Sequence, residues 1–222
     1  MPVYFPLFVD LEGHRCLVVG GGPVGERKAR ALLDCAARVV VVSPVLTPAL
    51  ACLAATGRVE HRARTFRASD VRGCRLVVAA TGGPADRAVV AVARRRGVLV
   101  NAVDQPAWCD VLVPSVLRRG ALQIAVSTGG RSPALAREIR RRLEPLFGSE
   151  LGALMEEVGR ERARALGRAR TAAGRARAGE RVARRALALV GERLPGAQPP
   201  GRLRPTPLKK VYEKVPSASA VR

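Results

Sequence analysis

A two-sided α/β fold, a parallel sheet covered by helices on both faces, is predicted by three features of the sequence. Short β-branched runs alternate with helical segments over the first hundred residues. A glycine turn joins the first strand to the first helix, and arginine-rich helical segments replace the alternation beyond residue 150. Alternating strands and helices favour a parallel sheet, because each crossover helix must cover one face.

The elements follow in order. Residues 15–19 form a short apolar run ending in glycines and read as a buried strand. Residues 26–37 have helical composition and contain no Gly or Pro. Val39 to Val42 is a second buried strand, stopped by Ser43-Pro44. Strand, glycine turn, helix and strand make one βαβ unit of about 30 residues. Further strands are expected at 58–62, 75–80 and 98–100, with a helix over 85–96 closed by Gly97. Residues 107–120 read as irregular, with a turn at Arg118-Arg119-Gly120, and 122–127 as a strand. Ser132 suits a helix N-cap and Pro133 the first helical position, which opens a helix to about Leu146. Two more helical patterns cover 150–166 and 179–192, and a Pro-, Gly- and Lys-rich end from 195 is expected to be disordered.

Apolar residues make up 48% of the 222, so a packed body is expected, and with aromatics at 3% its core must be filled by Val, Leu and Ala. The formal charge of +21 falls unevenly: residues 1–150 carry 22 basic and 12 acidic side chains, residues 151–222 carry 17 and 6. The last third is therefore about twice as basic per residue. That balance favours anionic partners, or reflects a compositional preference for Arg and Ala; the two readings stay open. The basic segments lack the interleaved aromatics of single-strand binders, which argues against nucleic acid. Five cysteines, an odd number without CxxC spacing, argue against a disulfide framework or a zinc site and predict mostly buried thiols in a reduced compartment. No cationic leader and no membrane-length apolar stretch is visible, so a cytoplasmic protein is expected, with no membrane partner and no resident metal.

Gly20-x-Gly22-x-x-Gly25 follows a strand and opens a helix, the context a dinucleotide-binding glycine motif requires. Gly20 permits the tight turn, Gly22 lets the backbone approach a pyrophosphate, and Gly25 allows close helix–strand packing. The helix N-terminus offers free N–H groups to the phosphates. The acid expected after the second strand is replaced by Ser43, and no arginine follows it directly, so the loop favours NAD mildly and does not exclude NADP. Asp104, after the strand at 98–100, falls near the crevice beyond the carboxyl ends of the strands. It could shuttle a proton during hydride transfer, or simply form an Asx turn ahead of Pro106. Ser127-Thr128-Gly129-Gly130-Arg131-Ser132-Pro133 is either an anion cradle or a capped helix start.

Four motifs in order carry a family resemblance: Val18 to Ala29 with its glycines and Glu26-Arg27-Lys28; Ala79-Ala80-Thr81; Asn101-x-Val103-Asp104-x-Pro106; and Ser127 to Ala136. Together with Tyr4-Phe5-Pro6-Leu7-Phe8 and Cys109-Asp110, they resemble the precorrin-2 dehydrogenase family of siroheme-synthase N-terminal modules, over about residues 3–165. The resemblance implies a Rossmann-type domain (1–113), a small dimerisation segment (114–148) and a helical C-terminal domain (149–194) ahead of the tail (195–222). It implies oxidation of precorrin-2 to sirohydrochlorin with NAD, in a homodimer, and in some members insertion of Fe2+ at the same site to give siroheme. Asp104 would be the general acid/base. Gly20, Gly22, Pro23, Val24 and Gly25, with Ser43, Pro44 and Thr81, would contact the cofactor. Ser127, Thr128, Gly129 and Arg131, with Arg118 and Arg119, would meet the polycarboxylate substrate, and Arg137 is a further candidate. The chain departs from the family pattern at Gly25, Gly82, Gly83, Arg87 and Val111. A non-catalytic NAD-sensing module is the competing reading, and it would need neither Asp104 nor the 127–133 loop.

Overall fold

The computed structural model describes residues 4–191, which form two compact units: residues up to Ser115 together with Val126–Arg137, and Val116–Ala125 together with the chain from Glu138. The expectations for 192–194 and for the tail from 195 lie outside the described residues.

The first unit is built on β1 (Arg15–Val19), β2 (Arg38–Val42), β3 (Val59–Arg62), β4 (Leu76–Ala79) and β5 (Leu99–Ala102), all parallel, in the order β3-β2-β1-β4-β5. Chain order runs outward from β1 to β3 and then resumes on the other side of β1 at β4. That reversal makes the β1/β4 boundary the topological switch point, where a crevice opens beyond the strand ends. The register levels those ends: Val19 pairs with Val42 and with Ala79, and Ala79 with Ala102.

Burial on both faces explains the unbroken apolar runs of the strands. Leu17, Val19, Val40, Val42, Val77 and Val100 pack with α3 (Ala85–Arg95) through Val89 and Ala93. Cys16, Val18, Val39 and Val41 pack with α1 (Pro23–Leu33) and α2 (Pro48–Ala55) through Ala29, Leu32, Leu50 and Leu53.

The helices differ from the sequence reading at their ends. α1 starts at Pro23, not 26, because Gly22 takes the N-cap position and Pro23 the first turn. It stops at Leu33, not 37, and Ala36 adopts φ +54 in the turn that leads into β2. α2 has no counterpart in the sequence reading; Thr47 caps it, accepting from the Leu50 amide at 3.2 Å, and Pro48 follows at the first position. Residues 107–120 are not wholly irregular. A 3-10 turn spans Pro106–Trp108, and β6 (Ser115–Arg119) forms a hairpin with β7 (Leu122–Val126) across Gly120, whose φ of +58 suits the turn.

Beyond α4 (Pro133–Leu143), the second unit carries α5 (Glu150–Arg168) and α6 (Ala172–Gly191), packed on one another with Leu151, Ala178 and Val182 buried. α6 begins seven residues ahead of the predicted 179, because Thr171 caps it through the Gly174 amide at 3.0 Å. Only Cys16 and Cys74 are buried; Cys52, on α2, is exposed, and Cys35 and Cys109, in connecting segments, are half-exposed, so fewer are buried than expected. Burial in β1 pushes the Cys16 thiol up to about 11. No helix among the described residues is long and apolar enough to cross a membrane.

One charged group lies wholly inside the first unit. Asp70, fully buried after β3, accepts from Arg64 at 2.6 and 2.8 Å, from Arg62 at 2.7 Å and from the Arg67 amide at 2.8 Å. Four charge-assisted or backbone donors satisfy both oxygens, which is the condition for tolerating a buried carboxylate.

Candidate functional site

The glycine loop is shaped by close approaches that no side chain could share. A Cβ on Gly20 (φ +119) would lie 2.3 Å from the Ala80 carbonyl oxygen, and one on Gly25 would lie 2.0 Å from that of Gly20. Gly22 differs: a Cβ there would meet nothing within 4 Å, and the residue lines an open cleft of about 610 Å³. Pro23 lacks an N–H, no side chain caps α1, and the first-turn amides of Val24 and Gly25 have no intrahelical acceptor. A backbone without a side chain, next to unfilled amides at a helix N-terminus, is the donor set a pyrophosphate needs, so the residues present fit a dinucleotide.

The opposite wall is the β4–α3 loop. Asp86 is 3% exposed and accepts from Thr81 Oγ1 at 2.8 Å, the Thr81 amide at 3.1 Å and the Gly82 amide at 3.1 Å. Thr81 Oγ1 in turn accepts from the Gly83 amide at 3.2 Å. Sequence reasoning missed Asp86. Its signal was a carboxylate in the first turn of a helix, five residues after a threonine that follows a strand.

The end of the cleft beyond β5 carries Val103, Asp104 and Trp108. Asp104 adopts φ +58, one of two non-glycine residues in the left-handed region among the described residues. Its carboxylate is exposed and makes no hydrogen bond or ion pair there. The turn is tied down behind it. Cys109 Sγ accepts from the Ala102 amide at 3.2 Å and lies 3.1 Å from the Ala102 oxygen, while Asn101 Nδ2 donates to the Val111 oxygen at 3.0 Å. Burial raises the Cys109 thiol above its ordinary range.

Of the residues the sequence singled out, Gly22, Pro23, Val24, Thr81 and Asp104 share this cleft. Gly20 and Gly25 sit behind its wall as packing positions. Ser43 and Pro44 lie at the end of β2, outside the cleft lining, with Ser43 Oγ donating to the Val45 oxygen at 2.8 Å. In the loop after β7, Gly130 packs on Pro106, with 3.3 Å from a built Cβ to the proline ring, so Ser127 to Arg131 adjoin the Asp104 turn. Thr128 Oγ1 bonds both the amide and the oxygen of Ser132 at 3.0 Å, and Ser132 Oγ caps α4 through the Leu135 amide at 3.2 Å. In the second unit, Arg119 donates to the Phe147 oxygen at 2.6 Å and to the Arg118 oxygen at 2.9 Å.

Residues 7–115 match the family model described as putative NAD(P)-binding, and residues 119–145 match that of the sirohaem biosynthesis protein central region. The siroheme synthase of Pseudomonas entomophila is 47% identical over 152 residues, covering 68% of this chain and 33% of that protein. Siroheme synthase 1 of Aeromonas salmonicida is 44% identical over 162 residues, 72% of this chain and 35% of the relative. The chain thus spans about one third of the length of the curated relatives it matches. Among solved structures, SirC, a precorrin-2 dehydrogenase, superposes with a TM-score of 0.66 at 22% identity, over 85% of this chain and all of that one. Glycine loop, sheet order and both family models agree: the chain joins a putative NAD(P)-binding region to a sirohaem-biosynthesis central region, and over about two thirds of its length it is similar to siroheme synthases.

Proposed function

We propose that the chain oxidises precorrin-2 to sirohydrochlorin with NAD. The observation that carries this reading is a single cleft at the sheet switch point that holds a side-chain-free phosphate cradle at one end and an unpaired carboxylate at the other. Dehydrogenation removes a hydride and a proton from the substrate, and NAD, when bound, supplies the hydride acceptor. Asp104 accepts the proton on a carboxylate oxygen that none of the described residues bonds. Val103 and Trp108 line the cleft beside it, and Gly22 with the α1 amides would hold the phosphates. Arg131 and the hydroxyls of Ser127 and Thr128 border the same turn and suit the acidic groups of the substrate; Arg118, Arg119 and Arg137 are the further arginines that substitution would test. The family resemblance supports a cytoplasmic homodimer, which light scattering of the purified protein tests.

Anaerobic incubation with precorrin-2 and NAD should give NADH at 340 nm together with the sirohydrochlorin spectrum. NAD binding without NADH would return the sensing module to favour. Asp104 is also the group that would take up pyrrole protons if sirohydrochlorin receives Fe2+ there, which the absorption change on adding Fe2+ tests separately.

NAD is expected to bind at least about tenfold more tightly than NADP, because no arginine directly follows Ser43 and Arg62, in register with Val42 at the end of β2, is already engaged. The arginines nearest the end of β2, Arg62 and Arg64, are both held by Asp70. Titration with each dinucleotide checks this. The glycines separate likewise. Gly22→Ala should change stability by no more than about 1 kcal/mol while weakening NAD binding. Gly20→Ala should destabilise the fold by about 2–4 kcal/mol, from strained backbone and a clash with β4. Thermal melts beside NAD titrations read both.

A further inference from the structure

Lys28 is a charge that the reaction as described does not use. It lies on α1, half-buried, with Nζ donating to Asn101 Oδ1 at 3.3 Å across 73 residues of chain. No carboxylate pairs with it directly among the described residues. An ammonium removed from water without a paired acid is costly, and a Met at that site would fill the same space without the cost. The charged and titratable groups that face it are Arg27 on its own helix, Cys109 and Asp104. Loss of water lowers its basicity first, Arg27 adds to this, and Cys109 and Asp104 act in the opposite sense.

The amide that accepts from Lys28 is also the amide that fixes the catalytic turn. Asn101 uses Oδ1 on Lys28 and Nδ2 on the Val111 oxygen, with Cys109 Sγ at 3.5 Å. Charged donation to Oδ1 orients the amide so that its N–H faces Val111 rather than the reverse. Cys109 then closes the turn over Ala102. Asp104, in an uncommon backbone conformation and without a hydrogen bond of its own, is held in place only by what surrounds it.

We propose that Lys28 is a positioning residue for Asp104: pinned by Asn101, its ammonium sets the turn that presents the carboxylate and supplies the positive charge that faces it. This rests on the reading of Asp104 as the proton acceptor. In the substrate complex the cation would hold the turn without touching the reacting atoms, so its loss should lower kcat far more than it alters cofactor binding.

Trp108, the sole tryptophan, lines the cleft and reports NAD binding by fluorescence without any turnover. Lys28→Met should lower kcat about tenfold or more with NAD affinity changed less than about twofold. Lys28→Arg should restore most of the rate. Asn101→Asp, which gives Lys28 a paired carboxylate and removes the Val111 bond, should lower kcat similarly and covers the case in which Lys28→Met does not fold. Full kcat in either loss variant, or an equal loss with Lys28→Arg and Lys28→Met, would overturn the proposal. An inactive wild type that still binds NAD would instead overturn the assigned reaction.

Discussion

Asp104→Ala should lower turnover of precorrin-2 by about 10²- to 10⁴-fold, the usual contribution of a positioned acid/base. NAD binding should hold, because the cradle at Gly22 and the α1 amides lies at the other end of the cleft. The measurement pairs steady-state NADH formation with Trp108 fluorescence titration. Asp104→Asn sharpens the result. It keeps the size and the left-handed tolerance of the residue, so a rate loss as large as that of alanine assigns the effect to the charge. Turnover retained in both variants would remove Asp104 from the chemistry, and the proton would need another acceptor. Loss of NAD affinity in step with kcat would mean that the turn is structural.

Asp70→Asn should destabilise the protein by roughly 3–5 kcal/mol, the cost of breaking a buried ion pair and leaving its partners behind. The bonds from Arg64, followed by the Arg67 amide and Arg62, hold the Asp70 carboxyl well below the usual carboxylate range. A carboxylate with a depressed folded-state pKa contributes stability that is fully present above its unfolded value, about pH 4. That stability is lost as pH falls from there toward the folded-state value. The gap between wild type and variant should therefore be constant near neutrality and narrow below about pH 4. Urea melts across that range provide the test; a gap that widens on acidification would contradict the assignment. Because Asp70 lies outside the cleft lining, kcat near neutrality should be unchanged in whatever fraction stays folded.

Strands were legible because burial on both faces leaves a continuous apolar run, as at Val39 to Val42, and such runs survive in a single sequence. Helix ends were less so. The Thr47-Pro48 start carries the same cap-and-proline signal as Ser132-Pro133, yet α2 is only eight residues long and its apolar residues show little sidedness. β6 was hidden because a two-stranded hairpin with half-exposed faces needs no apolar alternation, and Arg118 and Arg119 read as a turn. At the site, Gly22, Thr81 and Asp104 stand at fixed offsets from strand ends, where a local pattern can find them. Asp86 left a local signal, an acid in the first turn of α3, whereas the contacts of Lys28 and Cys109 are created only by the folded chain. Lys28 meets its partner 73 residues away, a distance no spacing rule spans.

The clasp made by Asp86 has a bearing on direction. By bonding the amides of Thr81 and Gly82, and through Thr81 that of Gly83, it leaves the β4–α3 rim with no spare backbone donors among those three residues. The α1 rim, in contrast, keeps amides for an anion. The crevice is thus electrically lopsided, and a molecule anionic at its middle and cationic at one tip would have one favoured heading within it. Its diphosphate would anchor at α1, and its pyridinium ring, cationic in the oxidised form, would be drawn toward the Asp104 carboxylate beside Trp108. Loosening that clasp, as in Asp86→Ala, would give the crevice a second anchorage, and wrong-way occupancy would appear as a competitive brake on turnover.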